Sequence, residues 1–318
     1  MYREKKIGVV IPAYNEELLI KKTLNSIPDY VDHVYVVNDC SPDRTGEIVK
    51  EYAENDNRVV PLSHEVNKGV GAAIVTGYQE ALKGGMDIAA VMAGDNQMDP
   101  IFLPKLLDPI VDEKADYTVG NRLLSADYRH QMSMWRFFGN SILTLLTKIA
   151  SGYWQMMDPQ NGYTAISARA LGRLNFSQIY PRYGYCNDLL IQLNVWGFKM
   201  KNIPHPARYG METSGIKYSS YICKLSWLLL RKFLWRLKMK YVILSFHPLV
   251  FFYILGTILS TVGIIAGIIT LWEKFITGNN VLFVHGVLSF LAFMMGMMFL
   301  LFAMLYDMEQ ERNANGWY

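Results

Sequence analysis

The sequence predicts an α/β domain with a largely parallel, Rossmann-like sheet, followed by a basic amphipathic helix and two membrane-spanning helices. Two observations predict the first part: residues 1 to about 120 alternate strand-like and helix-like segments, and a polar cluster recurs at successive strand ends. A third predicts the rest. Of 318 residues 51% are hydrophobic and 19% charged, too apolar for one small soluble domain, and the excess gathers towards the C-terminus.

Strands are expected at Ile7 to Ile11, Val34 to Val37, Arg58 to Leu62, Ile88 to Met92 and Tyr117 to Val119. Helices fall between them, such as Glu16 to Ile27, which places Leu19, Ile20, Thr23, Leu24 and Ile27 on one face. In such sheets ligands bind beyond the carboxyl ends of the strands. The first strand finishes in PAYNE (Pro12 to Glu16) and the second in NDCSPDRT (Asn38 to Thr45); the third leads to NKGVGAA (Asn67 to Ala73) and the fourth to AGDNQMDP. One polar loop is ordinary turn chemistry, but four on one rim build a site. Asp95, Asn96, Gln97 and Asp99 crowd oxygen donors at a strand end, which suits a hard cation or a cation-bound phosphate, with Asp99 expected to cap the helix after Pro100. Gly69-Val70-Gly71 is superficially a dinucleotide loop. Ile74 holds the third glycine's place, however, and the loop lies outside the first βα unit, so nicotinamide binding is not expected.

Pro248 to Trp272 contains no charge, and Val281 to Tyr306 is interrupted only by a histidine. Each reaches the roughly 20 residues that cross a hydrocarbon core. The linker Glu273 to Asn280 is short, so both ends of this hairpin are expected on one side. Lys217, Lys224, Arg231, Lys232, Arg236, Lys238 and Lys240 precede the first span, with no acidic residue between Glu212 and Glu273. The positive-inside rule then predicts a cytoplasmic N-terminal region, and MYREKKIGVVIP offers no signal-peptide core that would export it. Cys40, Cys186 and Cys223 show neither metal-ligand spacing nor a disulfide framework. The expected divisions are the α/β domain over 1–215, a basic juxtamembrane helix over 216–245, a transmembrane hairpin over 246–306 and a cytoplasmic tail over 307–318. Ile222, Leu229, Leu230, Phe233, Leu237 and Tyr241 form the apolar stripe of that juxtamembrane helix, with the basic residues largely around the other side. Trp135, Phe138, Ile142, Leu145, Leu146 and Ile149 form a second stripe that suits either a membrane surface or a core. Fusion of the basic stretch to two spans argues against nucleic acid as its partner. Gly256, Gly263 and Gly267 give small helix faces that permit homo-oligomers through the membrane helices.

On the ordered strand-end motifs, the sequence resembles the family 2 glycosyltransferases of GT-A fold, and within them the polyprenyl-phosphate (dolichyl-phosphate) glycosyltransferases, from about Lys6 to Tyr218. The resemblance implies a nucleoside diphosphate held by Pro12, Ala13, Tyr14, Glu16, Asp39, Lys68, Gly94 and Asp95, with Asn38 standing where the family usually has a first aspartate. It implies Mg²⁺ or Mn²⁺ at an Asp-x-Asp-x-Gln pattern that here reads Ala93, Asp95 and Gln97, so Asp95 and Gln97 remain as metal ligands. MMDPQNGYTAIS aligns Asp158 with a functional aspartate, expected to orient or weakly activate the acceptor oxygen. Arg122, Arg136, Arg208 and Lys217 match basic residues that bind the acceptor phosphate.

The implied activity is inverting transfer of a sugar from a nucleotide sugar to polyprenyl (dolichyl or undecaprenyl) phosphate at the cytoplasmic membrane face. UDP-glucose or UDP-N-acetylglucosamine is preferred as donor, with a GDP-mannose-dependent dolichyl-phosphate mannose synthase as the alternative. A processive polysaccharide synthase would carry more spans and a Gln-x-x-Arg-Trp motif, which this sequence lacks. A non-catalytic membrane scaffold is the rival of another class, supported by Ala93 alone.

Overall fold

The computed structural model describes residues 1–123, 134–206, 218–277 and 282–315. The chain divides into two compact units, Met1–Phe233 and Leu234–Tyr318.

In the first unit β1 (Ile7–Ala13), α1 (Ile20–Asn25), β2 (His33–Asn38), α2 (Thr45–Asn55), β3 (Val59–Ser63), α3 (Val70–Lys83), β4 (Ile88–Val91), α4 (Leu103–Val111) and β5 (Tyr117–Asn121) alternate. Then follow α5 (Met134–Ser151), β6 (Thr164–Ser167), α6 (Ala168–Leu171), α7 (Tyr185–Val195), β7 (Met200–Pro204) and α8 (Tyr218–Arg236), the last of which runs past the division at Phe233. The strands among the described residues form one seven-stranded sheet in the order β3-β2-β1-β4-β6-β5-β7. All pairings are parallel except those of β6, which runs antiparallel to β4 and β5. The expected α/β sheet is therefore present, with β6 and β7 added to the five strands legible in the sequence.

Period-two alternation puts each strand into two cores. Val10, Ala89 and Val91 face a layer with Ile74, Tyr78, Leu189 and Leu190 from α3 and α7. Ile7, Val9, Ile11, Ile88 and Ala90 face Ile20, Leu24, Leu103, Leu106 and Leu107 from α1 and α4. Burial on both faces explains why these strands read as continuous apolar runs.

The helix expected over Glu16 to Ile27 is shorter than that. Asn15 takes φ +62°, and the N–H groups of Asn15, Glu16 and Glu17 donate to Ser41 Oγ, Thr45 Oγ1 and Asp43 Oδ2. This stretch is thus a turn bound to the β2–α2 loop, and α1 starts only at Ile20.

In α5 the buried positions are Leu143, Thr147, Ala150 and Ser151, while Ile142, Leu145 and Leu146 from the expected apolar stripe are exposed. Those three side chains do not pack into the core of this unit, and the side chains of Trp135 and Phe138 lie outside the described ones. In α8, Leu225 and Leu229 are buried and Ile222, Trp227 and Leu230 exposed.

The second unit contains α9 (Leu249–Trp272) and α10 (Leu282–Asn315), both long and apolar enough to cross a membrane. Phe251, Ile258 and Ile265 on α9 and Phe290, Met298 and Leu305 on α10 are exposed, an outward surface suited to hydrocarbon rather than water. A Cβ added to Gly256 would lie 3.0 Å from Gly296 O, one added to Gly263 would lie 2.5 Å from Phe293 N, and one added to Gly296 would collide with Ser260. Gly256 and Gly263 are therefore spent on close approach of α9 to α10 within the hairpin. This corrects their assignment to an oligomer face, because a backbone contact already fills each.

Arg236, expected on the solvated basic face, is buried instead. Its Nη1 and Nη2 donate to Asp307 at 3.1 and 2.8 Å, and the Tyr241 hydroxyl also donates to that carboxylate. α10 continues beyond Tyr306 to Asn315, with Asp307 and Glu311 buried one turn apart. A helix period sees only where apolarity stops, not that a paired carboxylate extends the packed face.

Candidate active site

Three strand ends of the first unit meet in a cleft of about 510 Å³. β1 contributes Pro12, Ala13 and Tyr14, with Glu16 just beyond; β2 contributes Asp39; β4 contributes Ala93, Gly94 and Asp95. Asn67, Gly69, Val70 and Ala73 close one side, and Arg182 and Tyr183 arrive from a distant part of the chain. Every nucleotide-side residue expected from the sequence lines this cleft except Lys68, whose backbone N–H donates to Asp39 Oδ1 at 2.9 Å.

Asp39 is buried and ties this wall together. Its Oδ2 accepts from Gly69 N at 2.7 Å, and its Oδ1 lies 2.7 Å from His64 Nδ1. With the proton on Nδ1 the imidazole donates to Asp39 and accepts at Nε2 from Thr76 Oγ1, 3.0 Å away. Asn38, in contrast, serves its own loop: its Oδ1 accepts from Ser41 N, three residues on, at 3.0 Å. Gly69 has φ +96°, and a Cβ there would lie 2.7 Å from Arg182 Cγ, so glycine is required on both counts.

The β4 end is fixed from both sides. Thr23 Oγ1 donates to Gly94 O at 2.9 Å, and Gln97 N donates to Asp95 Oδ1 at 3.0 Å around Asn96, whose φ is +56°. Burial pushes the Asp95 carboxyl above its ordinary pKa, outweighing the Gln97 N–H. No basic side chain among the described residues pairs with it. Asp99 caps the following turn as expected, accepting from Ile101 N at 3.1 Å.

Asp158 and Arg122 form a second cluster beyond β5. Arg122 Nε lies 2.8 Å from Asp158 Oδ2 and Nη2 lies 3.1 Å from Oδ1, a bidentate pair on a buried carboxylate. Beneath it Asn161 Nδ2 donates to Gly120 O at 2.8 Å and lies 2.7 Å from His205 Nε2, while His205 Nδ1 bonds Pro206 O at 2.9 Å. Burial lowers the His205 pKa and keeps the ring neutral. Arg208 and Lys217 lie outside the described residues, as does the side chain of Arg136 on α5.

Residues 8–174 match the family described as glycosyl transferase family 2, a stretch that runs from β1 past α6 and contains the β1, β2 and β4 ends together with Asp158 and Arg122. The chain belongs to glycosyl transferase family 2. It is a glycosyltransferase. Among its relatives, a UDP-N-acetylglucosamine–dolichyl-phosphate N-acetylglucosaminyltransferase of Methanococcus voltae is 34% identical over 63% of this chain and 86% of its own. A polyprenol monophosphomannose synthase of Mycolicibacterium smegmatis is 30% identical over 62% of this chain and 75% of its own. A crystal structure of a mycobacterial protein superposes with a TM-score of 0.52 at 22% identity, over 73% of this chain and 75% of that one, a likeness of fold.

The glycosyltransferase has a larger cavity, about 640 Å³, at the opposite rim of the sheet. Its central carboxylate, Asp116, is already bonded by Arg169 Nη2 at 2.5 Å and by Lys199 N at 3.1 Å, so its polar groups serve the fold. Among the described residues no group of three or more His, Cys, Asp or Glu gathers as a metal cage. Sequence reasoning missed His64, Thr76, Thr23, Arg182 and Tyr183, because each acts across a long separation that no local motif encodes.

Proposed function

We propose that this glycosyltransferase moves a sugar from a nucleotide sugar to the phosphate of a polyprenyl lipid, with inversion, at the cytoplasmic face of a membrane. The observation that carries the reading is the cleft at the β1, β2 and β4 ends, in a chain that also bears two membrane-length helices. The relatives named for dolichyl-phosphate and polyprenol substrates support the acceptor class. Of the two donors, UDP-N-acetylglucosamine is favoured by the relative named for it, at the higher identity, and GDP-mannose is the second reading, since the other relative is named for a mannose product.

The donor set suits a divalent cation that the diphosphate shares. A hard cation needs only one or two protein ligands when phosphate and water supply the rest, and Asp95, a half-buried carboxyl lacking a basic partner among the described residues, would hold it with Gln97. Mg²⁺ or Mn²⁺ held there would neutralise charge on the nucleoside diphosphate.

The chain's own groups then act as follows. The lipid phosphate oxygen attacks the anomeric carbon; the bond from that carbon to the diphosphate oxygen breaks, and the diphosphate departs with the electron pair. Single displacement inverts the centre. Arg122 receives the lipid phosphate. Both oxygens of Asp158 accept from Arg122, so Asp158 sets the guanidinium. Arg122→Ala should raise the Michaelis constant for lipid phosphate roughly ten- to a hundredfold, with that for the nucleotide sugar little changed.

The test is a panel of UDP- and GDP-sugars with polyprenyl phosphate in detergent, scored by lipid product. Lipid-linked hexose or N-acetylhexosamine from one donor supports the reading; product only from GDP-mannose favours the second. Consumption of every donor without a lipid product would sink both.

A further inference from the structure

The cleft is lined by three carboxylates, Glu16, Asp39 and Asp95, and among its described lining residues Arg182 is the one basic side chain. A diphosphate entering such a cleft meets repulsion that one shared cation offsets only in part. Arg182 is exposed, and no carboxylate among the described residues lies within ion-pair distance of it. It is a guanidinium without a structural task, beside a strand end that carries alanine at position 93.

Its backbone, by contrast, is tightly held. Ala72 N at the start of α3 donates to Pro181 O at 3.0 Å, and Tyr185 N donates to Arg182 O at 3.1 Å. Behind this turn Asp188, wholly buried, accepts from Tyr180 N at 2.8 Å and pairs with Lys232 Nζ at 2.6 Å. Lys232 Nζ also donates to Gln178 O at 2.9 Å. The 178–188 segment is thus clamped on both flanks, and the clamp delivers one residue, Arg182, to the mouth of the cleft.

We propose that Arg182 binds the diphosphate of the nucleotide sugar, supplying a protein-borne positive charge where the strand end offers a cation only Asp95 and Gln97. The inference rests on the nucleotide-sugar reading above. A planar guanidinium matches two phosphate oxygens at once, so it steadies the donor and, as the diphosphate leaves, the charge that builds on it.

Calorimetry on the detergent-solubilised full chain tests it, with UDP, UMP, GDP and GMP as probes, each in Mg²⁺ and in EDTA. Arg182→Gln should weaken the preferred diphosphate roughly ten- to a hundredfold and leave its monophosphate within about threefold, in both buffers. Arg182→Lys should recover part of the loss, and the Michaelis constant for lipid phosphate should not move. Wild-type diphosphate affinity in Arg182→Gln would overturn the inference while leaving the nucleotide-sugar reading intact. A wild-type chain that binds neither UDP nor GDP would overturn both.

Discussion

Asp95 occupies a position where loss of charge and loss of shape can be separated. Its carboxyl is half-buried, accepts the Gln97 N–H and has no basic partner among the described residues, so Asp95→Asn removes the charge while retaining an acceptor for the turn. We expect metal-dependent transfer to be abolished with the melting temperature close to wild type, as read by product formation against metal concentration and by thermal denaturation. The Asp158–Arg122 pair calls for a double-mutant cycle. Removing either partner strands the other, so Arg122→Ala and Asp158→Asn should be non-additive, with a coupling of about 0.5–3 kcal/mol in transition-state stabilisation from kcat/KM. Additive effects would mean that the two act separately. At this scale the sequence revealed residue types and left partners hidden: Arg122 and Asp158 are 36 residues apart, and only the fold brings their side chains together.

Elements carry the next predictions. α3 begins against the 180–185 turn, and a Cβ on Gly71 would collide with Tyr180 O and lie 2.8 Å from Tyr185 Cβ. Gly71→Ala must displace backbone, so a loss of about 1–3 kcal/mol and weaker nucleotide binding are expected, checked by denaturation and calorimetry. β7 is followed by His205, buried and neutral between Asn161 and Pro206. Its folded pKa lies below the ordinary value of about 6.5, so below that pH the unfolded chain takes up a proton that the folded chain refuses. Stability should therefore be complete above about pH 6.5 and decline as pH falls towards the folded pKa. His205→Gln should flatten that decline in thermal melts between about pH 5 and 8. Strands β1, β2 and β4 were legible because burial on both faces leaves an unbroken apolar run. The start of α1 was not, since its preceding turn is set by Ser41, Asp43 and Thr45 from another loop.

For the whole molecule the membrane face can be tested directly. Cys40 and Cys223 are exposed and Cys186 is buried, so a chain carrying Cys223→Ala presents Cys40 as its accessible thiol. With the catalytic unit cytoplasmic, a membrane-impermeant maleimide should label Cys40 in inside-out vesicles and not in intact cells. The reverse pattern would overturn the assigned face. The α/β class, the rim on which the polar strand ends gather, the family and the two membrane-length helices all follow from the sequence alone. Each is written in periodicity, in composition or in motifs a few residues long, and such patterns survive without knowledge of the fold. The tertiary structure alone decided that Asp39 binds the α3 turn, that Asp158 holds Arg122, that Gly256 and Gly263 face α10, that Arg236 is buried on Asp307, and that Arg182 reaches the cleft. These are pairings between residues far apart in the chain, and a carboxylate, a glycine or an arginine has the same local signature whether it faces solvent or its partner.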